Sequence, residues 1–593
     1  SMQSIAAATR IVALLAASSH AMALDNSEPQ NKLKISGSVV TGTVIRTSDP
    51  DSALLQTANA ASVGILGTAV GGKNGDDGNL NFEKGKPVST SLQASFQGSY
   101  EMGGYAVAAK VKAWYDYTLK HGAVPFGNLP NGYVVGEPLS DRNFTRRAKF
   151  AGVVLDTGYV SGHHILGKNK LNWKLGWQNL DWGNRFTFGG GLSDLTPRDG
   201  PALRRAGANL DDNRLPVQAI GAQLAFSENT KIDGFVQTRF RSNVLPGCGT
   251  YFSGSDFVAP GCDKALLGNG TDPASVAAGT YFKRLPDVAP SNSGQGGLGV
   301  YHRIDAIATG IGFYASMFHS RNPYLAAVKS NRLAGPPYIP NDPGGLNPMY
   351  LEEFPERIRM FALTVDKKLA AGSIAFEASY RPNQPYQYNT IDLLNAFASN
   401  VAPTPLRAMA TAIPAGGIFE AFERHKAIDA RMSFAHGLPG FLGASTTSIA
   451  LEMDYKLVPD LPDVKTTRFR RSDVFGQAPV GTSACAPTAG AVQCSLDGFV
   501  TRSAFGFRTR VGMNYKQIAD GVDFSPSLIY GHDVSGWSED GAINKGRKFA
   551  VLSLKAEIQK SVVAELSWQP TWGGDYNNLR DRSALAMSVG YRY

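Results

Sequence analysis

The sequence predicts an all-β fold, a transmembrane antiparallel β-barrel of about 18 strands (16–20) with long external loops and short periplasmic turns. Three observations predict it. Apolar and polar residues alternate with period two in runs of about ten residues, the length a tilted strand needs to cross a bilayer. Short and long connections take turns between those runs. The composition suits no other large class: charged residues are 18% of the chain, against roughly 25% in an average soluble protein, and Gly fills 65 of 593 positions. Mean hydropathy is −0.16. Past the N-terminus no apolar run reaches the ~18 residues of a membrane helix. The glycines lack the three-residue period of collagen, and aromatic residues reach 10%. The formal charge of +9 is spread along the chain, which argues against a nucleic-acid partner.

Residues 2–23 read MQSIAAATRIVALLAASSHAMA. Arg10 supplies the positive charge, Ile11 to Ala17 a short apolar core, and Ala21-Met22-Ala23 an A-x-A cleavage site. This is the layout of a secretory signal peptide, so residues 1–23 (with Ser1 set aside) are expected to be removed and 24–593 to form one outer-membrane barrel domain of a Gram-negative bacterium. No Cys follows the cleavage site to take a lipid. About nine residues separate Leu24 from the first strand near Leu33. That is too short for a plug, a passenger or periplasmic repeats, which disfavours receptor, autotransporter and assembly-factor barrels.

The strands follow in order. Leu92, Ala94, Phe96 and Tyr100 alternate with Gln93, Ser95, Gln97, Ser99 and Glu101. Tyr105, Val107, Val111, Tyr115 and Tyr117 alternate with Ala108, Lys110, Lys112 and Asp116. Leu171, Trp173, Leu175 and Trp177 alternate with Asn172, Lys174, Gly176 and Gln178. The same pattern recurs through Ile449 to Leu457, Phe505 to Tyr515 and Val562 to Trp568, and it closes the chain from Leu585 to Tyr593. Tight connections lie at Met102–Gly104, Gly167–Lys170, Ala370–Gly372 and Ala519–Val522. Long ones lie at about 48–87, 119–147, 185–215, 244–296, 321–354, 382–423 and 457–501. All four cysteines fall in the long class, in two near pairs. Behind a signal peptide this spacing predicts two local loop disulfides, Cys248 with Cys262 and Cys485 with Cys494. No C-x2-C spacing supports a metal site instead.

The search for chemistry yields no catalytic residues, no metal site and no cofactor. G-x-S-x-G and H-E-x-x-H are absent. The nearest phosphate-loop match, Gly67 to Lys73, is followed by Asn74 where a hydroxyl residue is needed. Asp76-Asp77-Gly78-Asn79 is oxygen-rich enough for calcium, but a solvated turn is the expected reading. The competing function is a hydrolase at the outer rim acting on lipids or esters, for which Ser161, His163 and His164 supply the residue types. Ser161 and His163 share a strand face two residues apart, a poor geometry for a triad.

The inward face carries an excess of cations. Lys110, Lys112, Lys174, Lys231, Arg239, Arg241, Lys456, Arg508, Arg510 and Arg592 stand against Glu101, Asp116, Asp233, Glu452, Asp454 and Glu565. Two readings stay open: polar lumen residues that pair across the barrel, or a confined field that favours anions. The stretch Gly189 to Pro216 concentrates Asp194, Arg198, Asp199, Arg204, Arg205, Asp211, Asp212 and Arg214 around a helix-compatible Pro201 to Ala206. Mixed charge suits a loop folded into a pore. The constriction candidates are therefore Arg198, Arg204, Arg205, Arg214, Arg239, Arg241, Arg508, Arg510, Lys110 and Lys112. Ile391 to Ile413, apolar and helix-compatible, is expected to form a lid or an in-folded helix.

Several segments resemble the proteobacterial outer-membrane family called domain of unknown function 1302. They are LKISGSVVTGTVIRTSDPD at 33–51, DDGNLNFEKG at 76–85, KAWYDY at 112–117, PNGYVVGEPLSDRNF at 130–144 and LPGCGTYFSGSDFVAPGCD at 245–263. The resemblance covers the mature chain. It implies an outer-membrane barrel working beside a periplasmic lipoprotein-like protein and a resistance-nodulation-division transporter. It also implies, loosely, transport of hydrophobic or aromatic carboxylic compounds. It carries over no functional residues. Together with the lumen charge, the expectation is a channel or facilitator for small amphipathic or anionic organic solutes, aromatic or fatty carboxylates among them, bounded by outer-membrane lipid.

Overall fold

The computed structural model describes residues 31–128, 134–183, 186–208, 210–481 and 491–593. The proposed signal peptide and Cys485 lie outside the described residues. Eighteen antiparallel strands form the wall. They are β1 (Asn31–Arg46), β2 (Pro87–Met102), β3 (Tyr105–Asp116), β4 (Ala151–Leu166), β5 (Asn169–Gln178) and β6 (Val217–Ala225). Next come β7 (Thr230–Arg239), β8 (Gly296–Ile304), β9 (Thr309–Phe318), β10 (Ile358–Leu369), β11 (Gly372–Gln387) and β12 (Phe422–Leu438). The last six are β13 (Thr446–Leu457), β14 (Ser503–Ala519), β15 (Val522–Ser535), β16 (Lys548–Ile558), β17 (Val562–Gln569) and β18 (Ala584–Arg592). Each strand pairs with its chain neighbours, and β1 pairs with β18 from Ser38↔Arg592 to Arg46↔Ala584, which closes the barrel without an edge. Pro570, which has no N–H to give, ends β17, and the pairing with β16 resumes in the short strand Thr571–Trp572.

Alternation sorts the two faces as predicted. Val236 is 60% exposed and Phe313 61%, yet both are large and apolar; such residues form a belt that only lipid satisfies. Tyr100, Tyr105 and Tyr591 ring the short-turn end, and Tyr117, Tyr455 and Trp568 the opposite end. Among the described residues no helix is long and apolar enough to cross a membrane. The period breaks at Asp156. A bulge between Lys110↔Thr157 and Val111↔Leu155 leaves this residue unpaired and turns its carboxylate inward.

Tight turns such as Gly103-Gly104, both at positive φ, join the strands at one end. Asn31 pairs with Met102 at that same end. Nine longer connections gather at the other, covering residues 47–86, 117–150, 179–216, 240–295, 319–357, 388–421, 458–502, 536–547 and 570–583; the last two are shorter than the seven the sequence marks. They are called loops 1 to 9 below. Loops 4, 5 and 6 build a separate five-stranded sheet from Lys264–Leu266, Tyr281–Arg284, Tyr324–Val328, Met349–Glu353 and Ile418–Glu420. Its apolar face meets Leu393, Ala396, Phe397 and Ala410 of the helices Thr390–Ala398 and Arg407–Ala412, together with Leu406, the N-cap of the second. The segment 391–413 is thus part of an outer cap with its own core, and it does not enter the lumen. Cys248 and Cys262 are bonded in loop 4, as expected. Cys494 is also disulfide-bonded.

Candidate solute pathway

Loop 3 crosses the lumen, and opposite walls hold its two halves. The first half lies against β11–β13. Glu452 on β13 accepts from the backbone N–H groups of Thr187 (2.8 Å) and Phe188 (2.9 Å), and Glu377 on β11 accepts from that of Leu192 at 3.0 Å. Lys456 donates to the Gly189 carbonyl at 3.0 Å and pairs with Asp429, Asp454 and Asp540 at 3.1, 3.4 and 3.0 Å. Arg381 holds Asp194 at 2.7 Å, and Arg431 pairs with Asp429 at 3.0 Å beneath the ring of Phe186. Glu377, Arg381, Asp429, Arg431 and Asp454 are buried, where removing one partner of such a pair costs about 3–5 kcal/mol because the other is left desolvated.

The second half is held by β2–β4. Lys112 bridges Asp156 (3.3 Å) and Asp212 (3.1 Å), and Arg147 bridges Asp156 (3.0 Å) and Asp199 (3.3 Å). Gln93 donates to the Ala206 carbonyl at 2.9 Å, and Arg205 stacks on Trp114 with its guanidinium 4.6 Å from the ring centre. The short helix is Gly200–Leu203, capped by Asp199, with Pro201 in its first turn. It stops before Arg204, short of the Pro201 to Ala206 that the composition suggested.

Between loop 3 and the wall formed by β13–β18 and β1 runs a cavity of about 1220 Å³. It reaches from Val44 and Ala584 in the outer part of the barrel to Thr446, Asn514 and Ser525 near the short turns. Its lining brings together Arg198, Arg204, Arg205, Arg214, Arg510 and Lys555 against Asp181, Asp211 and Glu565. Trp182, Phe186, Leu203 and Phe252 add apolar surface. Small polar side chains, Ser448, Ser527, Ser553, Ser567 and Ser588, face it from the strands. Thr196 and Arg198 also border a smaller cavity of about 100 Å³ that runs up toward β9–β14 and the cap.

The predicted constriction residues therefore divide. Arg198, Arg204, Arg205, Arg214 and Arg510 share the large cavity. Arg204 lies 4.6 Å from the Phe252 ring centre, and Arg214 pairs with Asp181 at 2.8 Å. Arg508 is a wall-builder: it pairs with Asp533 at 2.8 Å and lies between the rings of Phe188 and Phe549. Glu452, opposite Arg508 in the β13–β14 register, is taken up with loop 3, and Asp454 with Lys456. Lys112 anchors loop 3, and Arg241 stacks on Trp177 and donates to the Pro216 carbonyl. Lys110 faces inward below Lys112, and Arg239 stands exposed at the outer end of β7. The reading missed Glu377, Arg381, Asp429 and Arg431. The alternation Asp429, Arg431, Ser433 against Ile428, Ala430, Met432 on β12 carries that signal.

Ser161 and His163 sit beside the Gly103-Gly104 turn, where the His163 N–H donates to the Gly104 carbonyl at 3.1 Å. That is the short-turn end, so the rim geometry a surface hydrolase needs is not formed by these residues.

A family model described as "Protein of unknown function (DUF1302)" matches residues 4–593. The chain belongs to the DUF1302 family. Solved structures similar to this DUF1302 barrel include OccAB4 of Acinetobacter baumannii, at 8% identity over 96% of this chain and 100% of that one, TM-score 0.39. OccK9 (OpdG) of Pseudomonas aeruginosa is 9% identical over 95% and 98% of the two chains, TM-score 0.39. The outer membrane channel DcaP of Acinetobacter baumannii is 8% identical over 96% and 100%, TM-score 0.35. Among curated proteins none matches the sequence.

Proposed function

We propose that this barrel resides in the outer membrane and serves as a channel or facilitator for small amphipathic or anionic organic compounds, aromatic and fatty carboxylates being the favoured class. The observation that carries the reading is the cavity beside loop 3, where six cationic side chains face three carboxylates on a partly apolar lining. Confinement between low-dielectric walls strengthens such a field. Arginines offer a carboxylate paired hydrogen bonds, while Phe186 and Phe252 offer its apolar body a surface.

The test is a planar-bilayer recording in a salt gradient, followed by competition with benzoate and octanoate. Anion-over-cation selectivity and concentration-dependent block by the carboxylates are expected. A cation-selective pore, or one indifferent to both compounds, defeats the reading. A periplasmic lipoprotein-like protein and a resistance-nodulation-division transporter, the partners implied by the family resemblance, would meet the barrel at its short-turn end. Co-purification after cross-linking in cells checks this.

A further inference from the structure

Asp76 and Asp77 do not form a solvated turn. Both are fully buried in loop 1, against Asp272 of loop 4, which is also fully buried. One carboxylate oxygen from each lies within 4.8 Å of the others. Asp76 is partnered: it accepts from the Gln56 N–H at 2.9 Å and from the Asn59 amide. Asp77 is not. Neither of its carboxylate oxygens accepts from an amide, hydroxyl or cation, and the Oδ2 of Asp272 lacks such a donor as well; the two carboxyls face each other. A fourth carboxylate, Asp256, accepts from the Asp77 N–H at 3.1 Å.

Two cations reach this cluster, and both are bonded elsewhere. Lys73 donates to the Gly270 carbonyl and to Ser275 Oγ (2.7 Å), and Arg582 donates to the Tyr251 carbonyl. Leaving three buried acceptor oxygens without donors is costly, since a buried carboxylate needs a hydrogen bond or a charge partner. A hard cation supplies both at once.

We propose that Asp76, Asp77 and Asp272 bind a Ca²⁺ ion that ties loop 1 to loop 4 and locks the outer cap over the solute pathway. The donors are all oxygen, as Ca²⁺ requires. Mg²⁺ retains most of its water and takes one or two carboxylates, which suits a buried three-carboxylate site poorly. Loop 4 also carries Phe252 on the cavity lining and the Cys248–Cys262 bond, so a cation here stiffens the roof of the pathway.

The experiment uses the full-length barrel refolded free of lipopolysaccharide and stripped with EDTA. Calorimetric titration with CaCl₂ alone is expected to show one saturable site with Kd below about 1 mM, and MgCl₂ to bind at least tenfold more weakly. Ca²⁺ should protect loops 1 and 4 from limited proteolysis, and EDTA should remove that protection. Asp77→Asn and Asp272→Asn should each weaken Ca²⁺ binding at least about tenfold while the barrel stays heat-modifiable. The alternative is a set of carboxyls sharing protons. On that account the wild type shows no saturable Ca²⁺ binding at millimolar concentrations, and Asp77→Asn makes the cap more resistant to protease by relieving repulsion. Either result, or unchanged Ca²⁺ binding in both variants, overturns the proposal. Loss of anion selectivity in the bilayer test would leave this one standing, because the two readouts are separate.

Discussion

The two sides of the lumen solve opposite problems with the same alternating strands. On β11–β13 the inward positions are large and charged: Glu377, Arg381, Asp429, Arg431, Glu452, Asp454 and Lys456 grip loop 3 and leave little open space. On β15–β18 the inward positions are mostly small: Ser525, Ser527, Ser553, Ser567, Ala584, Ala586 and Ser588 leave the cavity open. Side-chain volume on the inward face thus decides where the cavity runs, and loop 3 follows the charges. The same contrast explains why one arginine pair splits in role. Arg508 lies between Phe188 of loop 3 and Phe549 of the wall, while Arg510, two residues on, faces the open cavity and has no ion pair among the described residues.

The largest expected effect comes from breaking the crowded side. Lys456→Met leaves Asp429, Asp454 and Asp540 facing one another without their shared cation. Stability should fall by about 3–5 kcal/mol, read as a lower urea midpoint. Single-channel current should become larger and noisier as loop 3 loses its anchor. A quiet channel of wild-type size would show that loop 3 is held by other means.

Bulk separates the sides next. Ser379 is 3% exposed on β11, and Trp there should overpack the wall at a cost of about 1–3 kcal/mol. Ser527→Trp on β15 should fold normally and cut conductance, since the ring enters the cavity. If both variants behave alike, the two walls are not different in the way described.

The arginines sharpen the comparison further. Arg510→Ala should move the reversal potential toward zero with the melting temperature unchanged. Arg508→Ala should leave Asp533, 1% exposed, with Arg547 as its remaining ion-pair partner. It should lower the melting temperature more than it alters selectivity. The reverse assignment of effects refutes the division of roles.

Above the open side, Cys248→Ala with Cys262→Ala releases loop 4. The chain-entropy model assigns about 3 kcal/mol to a closed loop of roughly 15 residues. Faster proteolysis confined to residues 240–295, with the barrel intact, is the expected result.

The smallest effect concerns the cap sheet over the crowded side. Burial, and next the charge of Glu420, push Glu353 up to about 7. The folded cap therefore binds a proton that the unfolded chain releases at its ordinary value near pH 4.3, so this contribution weakens as pH rises between about 4 and 7. Protection factors of residues 324–328, with the intrinsic pH dependence of exchange divided out, should fall over that range in the wild type. Glu353→Gln should flatten the response.

Much of the barrel was legible because its signals are local. Alternation placed the wall, turn residues set the short connections, and the cysteine spacing gave the loop 4 bond. Loop 3 was legible as a charged segment, since Arg198, Arg204, Arg205 and Arg214 cluster within it. The cap sheet was not: Tyr324–Val328 pairs with Met349–Glu353 and with Ile418–Glu420, partners up to about ninety positions away. Short strands of this kind leave no periodic signature. Asp76 and Asp77 misled for the same reason. An acidic pair beside Gly reads as solvated until loop 4 is known to cover it.

Alternation was enough to predict a barrel of 16–20 strands with a polar lumen, because a bilayer imposes period two on every crossing segment, and the closure of β1 on β18 fixes the number at eighteen. Which of the inward cations line the open cavity depends on tertiary packing. Arg508 and Arg510 are equivalent in pattern and differ in neighbours. One of those neighbours, Phe188, comes from loop 3, a segment more than 290 positions away, while Asp533 and Phe549 come from the adjoining strands β15 and β16.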